Sequence, residues 1–205
     1  MPTRSLGMFD ERIIELKTEI GYRKRVKHLD LPGQARYLTF SCFKNQPFLS
    51  KDRSRLWVID ALKKARTKLP FELWAWVIMP EHVHLLILPR NDVKISQILN
   101  SVKLSVGKTA SNWVQNHAPD FLPKMTDIQP SGKSAFRFWQ RGGGYDRNIY
   151  SIDEVYEKIH YIHNNPVRRG LVNHPEDWIW SSYRAHEKGI VEPISIDKES
   201  LPPYK

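Results

Sequence analysis

The chain has a single cysteine, Cys42, among 205 residues. An internal disulfide is therefore excluded, and Cys42 is expected to pack as a small apolar side chain in a reducing compartment. No apolar run comes near the roughly 18 residues that a membrane-spanning helix needs. A long basic amphipathic helix and a lipidation signal are also missing, which argues against a membrane partner. Met1-Pro2-Thr3-Arg4-Ser5 opens no signal-peptide apolar region, so the expected location is the cytoplasm. Acidic residues are the minority: 22 Asp plus Glu face 32 Lys plus Arg, leaving a formal charge of +10. That sign suits a polyanion such as nucleic acid.

The length fits one domain with appendages. Residues 1–33 are polar and carry the run Tyr22-Arg23-Lys24-Arg25-Val26-Lys27-His28, so they are expected to form a basic arm outside the core. Residues 34–185 are expected to be the folded domain, and 186–205 a C-terminal tail. Arg36 to Phe43 alternates polar with apolar and predicts a strand, and Arg53 to Lys68 has helical spacing through Leu56, Ile59, Leu62 and Ala65. Leu73 to Met79 and His82 to Leu88 predict two strands joined tightly at Pro80-Glu81. Val93 to Asn116 predicts a longer helix, with a stripe of Ile95, Ile98, Leu99, Val102, Val106, Ala110 and Trp113.

Prolines 119, 123 and 130 with Gly132 mark 117–134 as an irregular connection. Phe136 to Gln140 alternates again, and the glycines at 142–144 lead into another short extended segment. Ser151-Ile152-Asp153-Glu154 has the form of a capping box that starts a helix. Pro166 is expected to stop that helix near Asn164 or Asn165. The order of elements fits an α+β fold, an antiparallel sheet with packed helices of ferredoxin-like kind.

Two features carry chemistry. His82 and His84 are two apart on one strand, so both imidazoles face one side. With one more ligand they could hold a divalent cation; without it, the pair equally describes two hydrogen-bonded histidines at a sheet end. On the last helix the apolar stripe is Ile152, Val155, Tyr156, Ile159 and Ile162. At about 100° per residue, Tyr161 projects away from that stripe. Asn165, four residues on, shares the face of Tyr161, so a phenol and an amide oxygen can approach one external point. A surface aromatic and an ordinary Asn-Pro helix stop are the competing accounts. His160 and His163 read as flanking or core-edge residues.

Val77-Ile78-Met79-Pro80-Glu81-His82-Val83-His84-Leu85-Leu86, Phe138-Trp139-Gln140, and Tyr161-Ile162-His163-Asn164-Asn165-Pro166-Val167-Arg168-Arg169-Gly170-Leu171-Val172 occur in this order. Together with Trp178-Ile179-Trp180-Ser181-Ser182-Tyr183, they resemble the single-tyrosine HUH transposases, in particular the REP-associated tyrosine transposase branch, over roughly residues 34–185. The resemblance implies a ferredoxin-like HUH fold in which His82, His84 and Asn165 hold Mg²⁺ or Mn²⁺ and Tyr161 is the nucleophile. Asparagine at the third ligand position follows the REP-associated branch, since insertion-sequence relatives carry glutamine there. The implied reaction is cleavage and rejoining of single-stranded DNA through a 5′-phosphotyrosine. The implied substrate is a hairpin-forming palindrome, acted on by a monomer or a homodimer.

For gripping the strand, the candidates are Lys103 and Lys108 on the second helix, Arg141 and Arg147 around the glycine run, and Arg168 and Arg169 after the tyrosine. Two other functions fit parts of the pattern: a non-catalytic nucleic-acid-binding module, and a metal-dependent phosphodiesterase that uses water. Two-histidine phosphoesterases that work without metal need a second His-x-Ser or His-x-Thr strand, which the chain lacks.

Overall fold

The computed structural model describes residues 33–204, so the basic arm expected over residues 1–33 lies outside them apart from Gly33. The elements are β1 (Arg36–Ser41), α1 (Asp52–Arg66), β2 (Phe71–Ile78), β3 (His82–Pro89) and α2 (Ile95–His117), followed by β4 (Thr126–Ile128), β5 (Ser134–Phe136), β6 (Tyr145–Asn148), α3 (Ile152–Arg168) and α4 (Tyr183–Lys188). The main sheet has the order β2-β3-β1-β6. β3 lies between β1 and β2 and is antiparallel to both, so β1 and β2 run parallel with a strand inserted between them. That is the split βαβ arrangement of the expected ferredoxin-like fold.

Alternation along the strands divides the core in two. Leu38 and Phe40 of β1, and Val83, Leu85 and Ile87 of β3, point to one face, where Val58, Ile59 and Leu62 of α1 and Ile98, Val102 and Val106 of α2 cover them. Tyr37, Val77 and Leu86 point to the other face, where Val155, Ile159 and Ile162 of α3 cover them. Because period-2 alternation leaves no choice of face, placing Leu85 in the first core sends His82 and His84 to the α3 side.

The free edge of β2 is covered by the chain after α3. Ile78 N donates to Trp180 O, and Ser182 N donates to Trp76 O, both at 2.9 Å. The residues beyond 185 are fastened as well: Asp197 accepts from Leu73 N and pairs with Arg66, and Ile194 is buried. Among the described residues no helix is long and apolar enough to cross a membrane.

Two expectations need correction. The stretch 117–134 is not wholly irregular, because Thr126–Ile128 pairs with Ser134–Phe136 as a small antiparallel hairpin. Gly132, at φ +78, supplies the turn that the prolines obscured. The tyrosine helix also continues past Pro166 to Arg168. The ring is buried, and the turn beyond it is held by Arg169 N to Asn165 O and by Leu171 N to Pro166 O. These contacts outweigh the steric preference that proline imposes on Asn165.

Candidate active site

β3 begins at His82, and its register with β1 sets His82 opposite Ser41 and His84 opposite Thr39. The two imidazoles turn toward each other, with their Nε2 atoms 2.9 Å apart. Each Nδ1 is anchored from behind. His84 Nδ1 is hydrogen-bonded to the Tyr37 and Thr39 hydroxyls, each at 2.7 Å. His82 Nδ1 lies 3.1 Å from Glu81 Oε1, which also accepts from Arg169 at 2.8 Å. Hydroxyl and carboxylate partners on Nδ1 fix ring orientation and leave Nε2 as the working atom. Burial, with His82 close by, pushes the His84 pKa down to about 3. Burial also lowers that of His82, opposed by Glu81. Both rings are therefore neutral near pH 7, the form that offers a lone pair to a cation.

α3 lies across this face and contributes Asn165. Ser151 Oγ accepts from Glu154 N to start the helix, while Glu154 Oε2 accepts from Tyr150 N. Asn165 is buried, its Nδ2 is 3.0 Å from His84 Nε2, and its Oδ1 has no hydrogen-bond partner among the described residues. An orphaned amide oxygen beside two neutral imidazoles is a polar cost that a cation would remove. The spacing agrees: two nitrogens about 2.1 Å from one ion and at right angles to each other stand about 3 Å apart. No group of three or more His, Cys, Asp or Glu that could hold a metal occurs among the described residues, and the Asn165 amide oxygen is the further polar atom that stands beside the histidine pair. Two imidazoles, one amide oxygen and open positions fit Mg²⁺ or Mn²⁺.

Tyr161 is half-buried at the side of α3. Its ring meets His84 edge-on at 5.8 Å and Tyr37 at 6.1 Å between centroids. Its hydroxyl makes no hydrogen bond among the described residues. It opens into a groove of about 400 Å³ lined by Tyr37, Thr39, His84, Tyr145, Lys158 and Tyr161. A second groove, of about 550 Å³, is lined by Ser41, Asn45, Pro47, Glu81, His82 and Arg169. His84 borders the first and His82 the second, so the histidine pair stands between them.

The expected cations divide by location. Arg168 lies over the Tyr161 ring at 4.7 Å, and Arg169 reaches Glu81 at the start of β3. Arg147 sits on β6 opposite Tyr37 and pairs with Glu154. Arg141 is paired with Asp127 of β4. Lys103 and Lys108 are on α2, across the sheet from Tyr161. Lys103 donates to Gly142 O at 2.6 Å and lies over the Phe40 ring, and burial pushes its pKa down to about 8. Lys108 is exposed. Sequence reasoning missed Tyr37, Thr39, Glu81 and Lys158. For the first two the signal was present, since Tyr37 and Thr39 share one face of β1, but it becomes informative only once β1 is known to pair with β3. His163 is a buried core residue, bonded through Nε2 to Ser182 Oγ at 2.9 Å.

The family described as Transposase IS200 like matches residues 35–165, a span from β1 to Asn165. A Haemophilus influenzae protein named as a REP-associated tyrosine transposase is 26% identical over 152 residues, covering 70% of this chain and 80% of its own. The REP-associated tyrosine transposase of Escherichia coli K12 is 29% identical over 125 residues, covering 60% of this chain and 61% of its own. Among solved structures, a REP-associated tyrosine transposase bound to a REP hairpin shares the fold. Its TM-score is 0.60 and its identity 20%, with 84% of each chain covered.

Proposed function

The chain belongs to the IS200-like transposase family, and from that premise we propose that it cleaves and rejoins single-stranded DNA at Tyr161 through a 5′-phosphotyrosine. The observation that carries this reading is the placement of a phenol with an unbonded hydroxyl 5.8 Å, ring to ring, from an imidazole held neutral by burial. The Tyr161 oxygen attacks a phosphodiester, a P–O bond forms, and the bond to the 3′-oxygen breaks. The phenol proton is lost during attack, and the departing 3′-oxygen gains one. The DNA 3′ of the cut stays on the protein. Rejoining is the reverse attack by a 3′-hydroxyl, and no nucleotide hydrolysis is needed because one phosphodiester replaces another.

His82, His84 and Asn165 would hold Mg²⁺ or Mn²⁺, which when bound supplies positive charge to the phosphate under attack. The chain's own residues do the rest. Tyr37 and Thr39 keep His84 aimed, and Glu81 keeps His82 aimed. Arg168 packs against the Tyr161 ring and holds a positive charge beside the attacking residue. The substrate is single-stranded DNA with a hairpin, a reading supported by the hairpin bound to the related transposase and by the net charge of +10.

The test is a denaturing gel of protein with labelled single-stranded hairpins and Mn²⁺. Label should migrate with the wild-type chain and not with Tyr161→Phe, which should still bind DNA. Free cleaved fragments from both proteins would overturn the tyrosine reading in favour of hydrolysis, and binding without any adduct would leave only a recognition module.

A further inference from the structure

The groove on the His82 side shares His82 and Glu81 with the site described so far, while Ser41, Asn45 and Pro47 in its lining have been given no role. We propose that it seats the nucleotide immediately 5′ of the cut and that Asn45 reads the base of that nucleotide. This inference rests on Tyr161 being the nucleophile.

The first argument is directional. Attacking and leaving oxygens lie roughly in line across a phosphorus under transfer. Tyr161 approaches from the groove bordered by His84. A phosphate beside the histidine pair therefore expels its 3′-oxygen toward the opposite side, into the groove of Ser41, Asn45, Pro47, Glu81, His82 and Arg169. That groove is the recess bordering His82 on the side away from the groove of Tyr161.

The second argument is local. Lys44 and Asn45 are consecutive non-glycine residues with φ of 53° and 52°, a conformation that costs energy and persists only where the surroundings enforce it. Here they do. Cys42 N donates to Glu81 O at 2.8 Å, Phe43 N to Phe138 O at 2.9 Å, Lys44 N to Gln140 Oε1 at 3.0 Å, and Asn45 N to Cys42 O at 3.0 Å. Four hydrogen bonds thus hold a strained turn whose product is the presentation of Asn45 to the groove. Its side-chain amide is exposed and makes no hydrogen bond among the described residues, and the Ser41 hydroxyl is equally free. An amide offers one donor and one acceptor side by side, the pattern that pairs with the edge of an adenine. In a single strand those base edges are open to such readout. Arg169, on the rim, supplies the charge for the adjoining phosphate.

The experiment uses the full chain, Mn²⁺ and a pool of hairpin oligonucleotides with randomised single-stranded flanks. The released fragments are sequenced to read the base at their new 3′ end. Wild type should favour one base there by about tenfold or more, as a paired amide implies. Asn45→Gly keeps the left-handed turn and removes the amide. It should flatten that preference to within about twofold while still forming the Tyr161 adduct. Asn45→Asp keeps the shape but only accepts, so the favoured base should move toward cytosine. An unchanged preference in both variants, or an equal loss of rate for every base, would overturn the role of Asn45 and leave the nucleophile intact. Absence of any adduct from wild type would overturn both readings.

Discussion

The amide nitrogen of Asn165 stands 3.0 Å from Nε2 of His84, while its oxygen, buried alongside, has no donor among the described residues. A cation entering beside the histidine pair would satisfy that oxygen. Asn165→Ala should therefore weaken Mn²⁺ binding by about tenfold or more in calorimetric titration. Asn165→Asp should destabilise the metal-free chain, because it buries a charge, and recover on adding Mn²⁺. If all three proteins bind Mn²⁺ equally, Asn165 is not a ligand.

The two hydroxyls behind His84 make a separate prediction. Tyr37 and Thr39 both reach Nδ1 at 2.7 Å, so losing either alone leaves one anchor. The pair Tyr37→Phe with Thr39→Val should lower metal affinity by about 10- to 100-fold, the usual cost of removing groups that orient a ligand. Each single change should cost distinctly less. Equal losses for the single and double variants would show that the second hydroxyl does nothing.

Acid should destabilise the metal-free protein through its buried histidines. His84 and His163 are both pushed down to about 3 from an ordinary 6.5, chiefly by burial. Between those values the unfolded chain binds a proton at each site and the folded chain does not. Stability is then fully present above about pH 6.5 and declines as pH falls toward 3, by up to about 1.4 kcal/mol per pH unit for each histidine. Urea midpoints from pH 7 down to 4.5 would show the slope, and His163→Gln should make it shallower. An unchanged slope would mean that His163 is protonated in the fold.

Gly144 bears on stability and site together. Its φ is +85°, and a Cβ there would lie 2.1 Å from Thr39 O. Gly144→Ala should push β6 away from β1 at a cost of about 2 kcal/mol or more, seen as a fall of roughly 4–8 °C in Tm. Because Thr39 also touches His84, Mn²⁺ affinity should fall with it. A variant as stable as wild type would mean that the strands separate without penalty.

Much of this arrangement is legible in the residues themselves. Period-2 spacing turns His82 and His84 the same way, and helical spacing sets Tyr161 and Asn165 on one side of α3. Both are local facts that survive folding. What alternation alone could not supply is the strand order. Glu81, Tyr37 and Thr39 become partners of the histidines only because β1 lies beside β3 and α3 crosses that face. Lys103 shows the same limit, since its charge is plain in the sequence while its place on α2, across the sheet from Tyr161, is not. The end of α3 was misjudged because burial of Pro166, invisible in sequence, outweighed a backbone preference that sequence displays plainly.

Tyr161 faces His84, and the chemistry proposed for that phenol limits the arithmetic of strand exchange. One phenol can own one DNA end at a time. Lifting a segment out of a longer strand exposes two ends, so a single copy must work sequentially, releasing the first end before capturing the second, or two copies must meet on one substrate. The number of proteins recovered per excised segment would distinguish a relay from a partnership.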